Sequence, residues 1–287
     1  MRAVLVFCEG PHDVRFVARS LGVQAGYEWV DEKIAELPTP FGPRYEAGNP
    51  EPVDPGLLVR HFATRRLDAT SMAQLAHAPN PVFDAAVHHR QTDTRYYLLS
   101  AGGDTAAPAV GRLIDAVDAA VQIGRLQGTV KTQKVAYCFL FDADARGRAA
   151  REDGFRIAYT PAFRDLSAVA HGTWGATAVG AVGLWVHHSP ENDDHGTLED
   201  HVAPLVEQTW SQRWHEAGNY LQAHAQPDDP VSKKPAEMLK AQIGVTGQFL
   251  FPGDPMTMIL HRDGLPRERF EGDYSRSLVQ FLLSVPW

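Results

Sequence analysis

Cysteine is scarce in this chain: Cys8 and Cys138 are the 2 present among 287 residues. Both lie inside apolar runs, where a thiol acts as a small buried group. No apolar stretch reaches the length that spans a bilayer, and the N-terminus reads as a core strand rather than a signal peptide. The expected setting is therefore a reducing cytoplasm, with no disulfide and no membrane partner. A basic excess is missing too. The formal net charge of −8 excludes a broadly basic nucleic-acid binder and confines phosphate contacts to local patches. It does not exclude a nuclease, because ions bound at an acidic site offset that charge. No Gly-x-Ser-x-Gly elbow, phosphate-loop Gly-Lys-Ser/Thr or dinucleotide glycine fingerprint occurs. Internal repeats, low-complexity tracts and a clear linker are also missing. With 44% hydrophobic residues, enough to bury a real core, residues 1–287 read as one elaborated domain.

What is present centres on the stretch from Val135 to Gly147. Val135-Ala-Tyr-Cys-Phe-Leu-Phe141 is a short continuous apolar run, the pattern of a strand buried on both faces of a parallel sheet. It runs into Asp142 and Asp144, which alternation points the same way. In open parallel sheets, ligands sit beyond the carboxyl ends of the strands. Two adjacent carboxylates repel unless a cation or a shared proton relieves them, and a hard divalent ion bound through oxygen is the simplest relief.

The chain opens with the same grammar. Ala3 to Cys8 is an apolar strand, Glu9 sits at its exit, and Gly10-Pro11 makes the turn. Asp13 falls at the start of a helix, where free N–H groups and the dipole favour a carboxylate. Val14, Val17, Ala18 and Leu21 mark that helix's buried stripe. Residues 23–93 read as an insertion after this first βα unit. Prolines are dense from Pro38 to Pro55, and a helix is expected near 54–64. A segment of that length should carry structure of its own and could cover the sheet or select a substrate or partner. Arg95 to Ser100 is the second strand, and Gly102-Gly103 leads into a helix with Val110, Leu113, Ile114, Val117 and Val121 on its apolar face. Gly124 and Gly128 are expected to end it.

Helix is expected again over Arg146–Glu152, and a further strand over Ala181–His187. Five acidic residues with His195 and His201 follow within Glu191–His201. The last third, approximately 205–287, reads as a helical extension. It holds an aromatic helix with Trp210, Trp214 and Tyr220, a helix over Ser232–Gly244, and a closing stripe of Leu278, Phe281, Leu282 and Val285. Candidate phosphate patches are Arg60, Arg65 and Arg66; Lys131 and Lys134; Arg146, Arg148 and Arg151; and Lys233 and Lys234.

Glu9-Gly-x-x-Asp13 after a first strand, with Asp142-x-Asp144 after a later buried one, resembles the Toprim (topoisomerase–primase) family. The Pro190-Glu-Asn and Gly196-Thr-Leu-Glu-Asp200 segments are similar to those of small stand-alone bacterial Toprim-like proteins, which are related to the Toprim domain of OLD-family nucleases. The resemblance implies a Toprim-like α/β fold with a mostly parallel sheet flanked by helices. It also implies Mg2+- or Mn2+-dependent phosphoryl transfer on DNA or RNA. By it, Glu9, Asp142 and Asp144 hold a first metal with Asp13 aiding. Glu199, with Asp200 or Asp193 as lesser candidates, helps a second or orients water. Some such nucleases place a lysine near the metals; Lys233, Lys234 and Lys240 are the candidates, with Lys234 put forward. A topoisomerase or primase needs more chain than this, which leaves a small nuclease. An ATPase partner and a role in phage defence are further expectations of the resemblance, and homo-oligomer formation is left open.

Other readings compete. Imidazole and carboxylate suit zinc, which would draw on His195, Glu199 and His201, but the six-residue spacing of the histidines does not put them on one helical face. Haloacid-dehalogenase-like phosphatases want Thr or Val where Arg146 stands. Glycosyltransferases use Asp-x-Asp without requiring Glu9-Gly-x-x-Asp13. The alternative in a different class is a non-catalytic module that binds nucleic acid or a partner.

Overall fold

β1 (Arg2–Cys8) is buried from Ala3 to Cys8, as an apolar run flanked by strands on both edges must be. It pairs in parallel with β4 (Thr94–Ser100) and with β5 (Lys134–Asp142), and β5 pairs in parallel with β7 (Ala181–His187). Short antiparallel strands extend the two edges: β2 (Glu28–Trp29) on β3 (Ala85–His89), β3 on β4, and β6 (Thr173–Ala176) on β7. Among the described residues the sheet therefore has seven strands, in the order β2-β3-β4-β1-β5-β7-β6. The computed structural model describes residues 1–30, 84–102, 106–126, 128, 132, 134–192, 194–253, 256–261 and 264–287. The expected helix at 54–64, the Arg60, Arg65 and Arg66 patch, Lys131, Gly103 and Asp193 lie outside these residues, as does most of the expected insertion. The two ends of that insertion contribute β2 and β3 to the sheet itself.

Register aligns the carboxyl ends of the parallel strands. Cys8 lies opposite Ser100 and Leu140, and Asp142 lies opposite His187. Glu9, Asp142 and the residues after His187 thus leave the sheet along one edge.

Helices cover both faces. α1 (Pro11–Ala25) starts with Pro11, whose missing N–H costs nothing in the first turn. Asp13 Oδ2 accepts the Gly10 N–H at 2.8 Å, the one half of a capping box that a glycine N-cap allows. α2 (Ala107–Leu126) buries the expected Val110, Leu113, Ile114, Val117 and Val121. It runs through Gly124, which is buried inside it, and stops at Leu126, two residues before the expected Gly128, which takes φ +67. α3 (Arg148–Phe163) begins later and runs further than expected, burying Arg151, Phe155, Tyr159 and Phe163 on one stripe. On this side Phe139 lies 4.9 Å from Phe7 and 4.5 Å from Tyr159, centroid to centroid, at the heart of the core.

The other face packs under α1, α4 (Glu199–Thr209) and α8 (Asp273–Leu283). The C-terminal part wraps α1 so closely that Phe16, opposite the expected stripe, is buried against Phe270 and Tyr274. α5 (Ser211–His224), α6 (Pro230–Lys233) and α7 (Pro235–Gln248) complete it. The helix expected over Ser232–Gly244 is broken at Lys234 and passes Gly244 to end at Gln248. Cys8 and Cys138 are buried and unpaired. No helix among the described residues is long and apolar enough to cross a membrane.

Candidate active site

Asp142 is the hub. It ends β5, is 7% exposed, and its Oδ1 accepts the backbone N–H of Leu198 at 3.0 Å. Burial, followed by the charges of Asp13, Glu9 and Glu199, holds its carboxyl well above the usual range, against the lowering effect of the Leu198 N–H. Carboxylates from three distant segments of the chain thus act on Asp142, and Asp144, the other member of the expected set, is not among them.

Glu9 turns toward β5. Its Oε2 accepts the Asp142 N–H at 3.0 Å. Burial raises its pKa, while that N–H and the Arg151 charge pull it down. Glu199 opens α4 and is 5% exposed. Its Oε1 lies 3.4 Å from His12 Nδ1, and its Oε2 is buried with no hydrogen-bond partner. Burial pushes the Glu199 pKa up, but His12 and Lys240 outweigh it and leave the group low.

Asp13 belongs to the cluster yet is already committed. Its Oδ2 serves Gly10, and its Oδ1 lies 3.2 Å from His187 Nε2, a contact that misses hydrogen-bond alignment. His187 Nδ1 meets the Tyr274 hydroxyl, so α8 is tied through an imidazole to the first turn of α1.

Asp144 faces elsewhere. At φ +52 it sits in the left-handed region, which Asp tolerates. Its N–H and C=O pair with Gly196 at 2.8 and 3.3 Å, and its Oδ2 binds Arg151 Nη2 at 2.8 Å. Gly196 has φ +125, and a Cβ there would lie 2.2 Å from Ser189 N, so the turn requires glycine.

Asp200 serves that same turn rather than the cluster. Its Oδ2 accepts the Thr197 N–H at 2.7 Å and faces the Thr197 hydroxyl at 3.3 Å. Lys234 is the exposed residue that caps α7. The lysine that feels the acidic groups is Lys240, one turn and a half further on. Burial lowers its pKa, but Glu199, Asp142, Glu237 and Asp144 more than restore it.

The histidines of the zinc alternative do not meet. His201 Nε2 faces the His188 carbonyl while its ring stacks on Tyr274, and His195 lies beside Asp194 and Asn192 at the surface. Burial, then the His187 charge, drives His201 down to about 3, so it stays neutral.

The residue that sequence reasoning placed wrongly is Arg151. Read as part of a surface phosphate patch, it is 6% exposed and points into the cluster. Its Nε donates to the Asp142 carbonyl at 2.8 Å, and its guanidinium carbon lies 5.7 Å from the Phe141 ring centre. The available signal was its spacing. Arg151 begins the i, i+4, i+8, i+12 stripe that continues in Phe155, Tyr159 and Phe163. Beside the cluster runs a groove of about 830 Å3, with Asp144 and Asp200 on one side and Arg146, Lys233, Lys234 and Lys240 along it.

Among the described residues, no group of three or more His, Cys, Asp or Glu side chains is arranged to hold a metal ion. The donor chemistry still suits a hard divalent ion. Glu9, Asp142 and Glu199 each have one oxygen fixed by a partner in the protein. The second oxygen of Glu199 is buried and unpartnered, and those of Glu9 and Asp142 have no hydrogen bond among the described residues. All three are oxygen ligands.

No protein-family model matches this chain, and no curated protein matches it in sequence. Its fold is similar to the crystal structure of a hypothetical protein from Pyrococcus horikoshii OT3. The TM-score is 0.51 at 12% identity, over 99% of this chain and 95% of that one. At that identity the likeness shows a shared α/β architecture alone.

Proposed function

We propose that this chain is a Toprim-like, Mg2+- or Mn2+-dependent phosphodiesterase acting on DNA or RNA, with Glu9, Asp142 and Glu199 as the ion's ligands. One observation supports this reading above the others. Each of these carboxylates has one oxygen against a partner in the protein and a second with no hydrogen bond among the described residues, and burial with the neighbouring acidic charges holds Asp142 raised.

An ion bound there would lower the pKa of an attacking water and neutralise charge gathering on the phosphate. The chain's own residues supply the rest. The Leu198 N–H and the Asp142 N–H fix two of the carboxylates in place before any substrate arrives. Arg151 presents a fixed guanidinium at the rim of the cluster, and Lys240 brings a second positive charge from α7. The groove, with Arg146, Lys233 and Lys234 along it, suits a polyanion laid beside the carboxylates.

A second reading has one specific observation behind it. The cluster is already partly met by Arg151, Lys240 and His12, as in a closed ionic network, and no ready metal group exists among the described residues. On that reading the chain binds nucleic acid or a partner without cleaving it.

Incubation of the purified protein with plasmid, single-stranded DNA and RNA, with and without Mg2+ or Mn2+, separates the two. The phosphodiesterase reading expects ion-dependent cleavage that is lost in Asp142→Asn. Binding without cleavage by any of the substrates, or cleavage that survives the substitution, overturns it.

A further inference from the structure

Asp144, which the resemblance places on an ion with Glu9 and Asp142, faces a side chain instead, and that side chain also reaches toward Glu9. Arg151 Nη2 lies 2.8 Å from Asp144 Oδ2 and 3.9 Å from Glu9 Oε2. We propose that the Arg151 guanidinium stands in for a second divalent cation, so that the site takes one ion, through Glu9, Asp142 and Glu199, and leaves Asp144 bound to arginine. This rests on the divalent-ion reading above.

Both partners of the pair are held from the backbone outward. Arg151 sits in the first turn of α3, where its N–H bonds the Gly147 carbonyl at 3.1 Å. Its Nε is fixed on the Asp142 carbonyl and its plane lies by Phe141, so the side chain has no room to swing clear without losing these contacts. Asp144 is set by its bridge to Gly196, which aims the side chain at α3 rather than at Glu199. A guanidinium stays protonated throughout the working pH range. A divalent ion placed between Glu9 and Asp144 would therefore meet a buried positive charge at contact distance and would have to displace it. The far side of the cluster offers the opposite environment. There, Glu199 Oε2 is buried and unpartnered.

The consequence for chemistry is a division of labour. One ion would serve the water and the phosphate, while Arg151 supplies the fixed charge that a second metal supplies in two-ion sites. Asp144 becomes a positioning residue that acts through Arg151.

The test is Mn2+ binding to the intact chain, counted by calorimetry and by loss of the free Mn2+ electron-spin signal, with no substrate present. Wild type is expected to bind one Mn2+ per chain. Glu9→Gln and Asp142→Asn are expected to weaken it at least ~10-fold. Asp144→Asn keeps the tolerance of positive φ and should change the affinity less than ~3-fold. Arg151→Gln is expected to admit a second, weaker ion. Two ions in wild type, an Asp144→Asn loss as large as that of Asp142→Asn, or a folded Arg151→Gln protein that still binds one would each overturn the inference while leaving the ion site standing. If Arg151→Gln does not fold, Asp144→Asn and the wild-type count decide alone. No Mn2+ binding at all would overturn the inference and the divalent-ion reading together.

Discussion

The backbone N–H of Leu198 lies 3.0 Å from Asp142 Oδ1, across 56 residues of chain. That bond joins the end of β5 to the start of α4 and fixes a carboxylate that burial and the charges of Asp13, Glu9 and Glu199 hold raised. An Asn at 142 keeps the acceptor oxygen and removes the charge. Asp142→Asn is therefore expected to stabilise the metal-free protein by roughly 1–3 kcal/mol, since burying a charge among like charges is unfavourable. Thermal melts in chelator should show a higher Tm than wild type, and added Mn2+ should no longer raise it. A lower Tm in chelator would mean the carboxylate is compensated within the fold.

Three carboxyls are raised, all with burial as the first cause: Asp142, the half-buried Glu9 and, just before β3, Asp84, which reaches about 7. A raised carboxyl binds its proton more tightly in the folded chain than in the unfolded one. Its contribution to stability is thus complete at pH below the unfolded value and lost as pH rises through the folded value. Metal-free protein should lose stability between about pH 4 and pH 7, with Glu199, held low, opposing this only at the acid end. Asp84 accepts the Ser100 N–H and feels Arg15. Asp84→Asn should flatten the profile and recover up to roughly 4 kcal/mol at pH 8, at about 1.4 kcal/mol per pH unit. Melts across pH 4 to 8 in chelator check this; a Tm that climbs steadily with pH contradicts it.

Lys240 and Lys234 should separate kinetically. Lys240 answers to Glu199 and Asp142, whereas Lys234 lies exposed along the groove. Lys240→Ala is expected to lower kcat by ~10-fold or more, as loss of a charge that acts near the reacting phosphate does. Lys234→Ala should raise KM, leave kcat near wild type, and reduce the salt dependence of binding by about one phosphate contact. Equal effects of the two substitutions on kcat would remove the distinction.

Asp200 tests the boundary of the site. Its carboxylate caps the turn at Thr197. Asp200→Ala should lower stability by ~1 kcal/mol, the usual loss of a capping bond, with Mn2+ affinity unchanged. A tenfold loss of affinity would return Asp200 to the ligand set.

The central strands and their acidic exits were legible because β1, β4, β5 and β7 are buried on both faces, and such strands write themselves as unbroken apolar runs. The edge strands were not. β6 is four residues with a glycine, and β3 mixes Ala, Val and His without alternation. Gly124 and Gly244 were read as helix ends, but both lie within helices, where packing overrides the local preference. Phe16 fell outside the stripe of Val14, Val17, Ala18 and Leu21, and its partners, Phe270 and Tyr274, lie more than 250 positions away. Of the candidate cluster, Glu9, Asp13 and Asp142 stood out by their places at strand exits and a helix start, and Glu199 entered through the resemblance. Asp144, though correctly placed at the edge, has Arg151 as its partner, and a single arginine on a helix reads as solvated unless its stripe is followed into the aromatic core.

The most direct measurement is anomalous scattering from crystals soaked in Mn2+. The account expects a Mn2+ peak in contact with carboxylate oxygens of Glu9, Asp142 and Glu199. A peak elsewhere, or none in crystals of the active protein at saturating Mn2+, would contradict it.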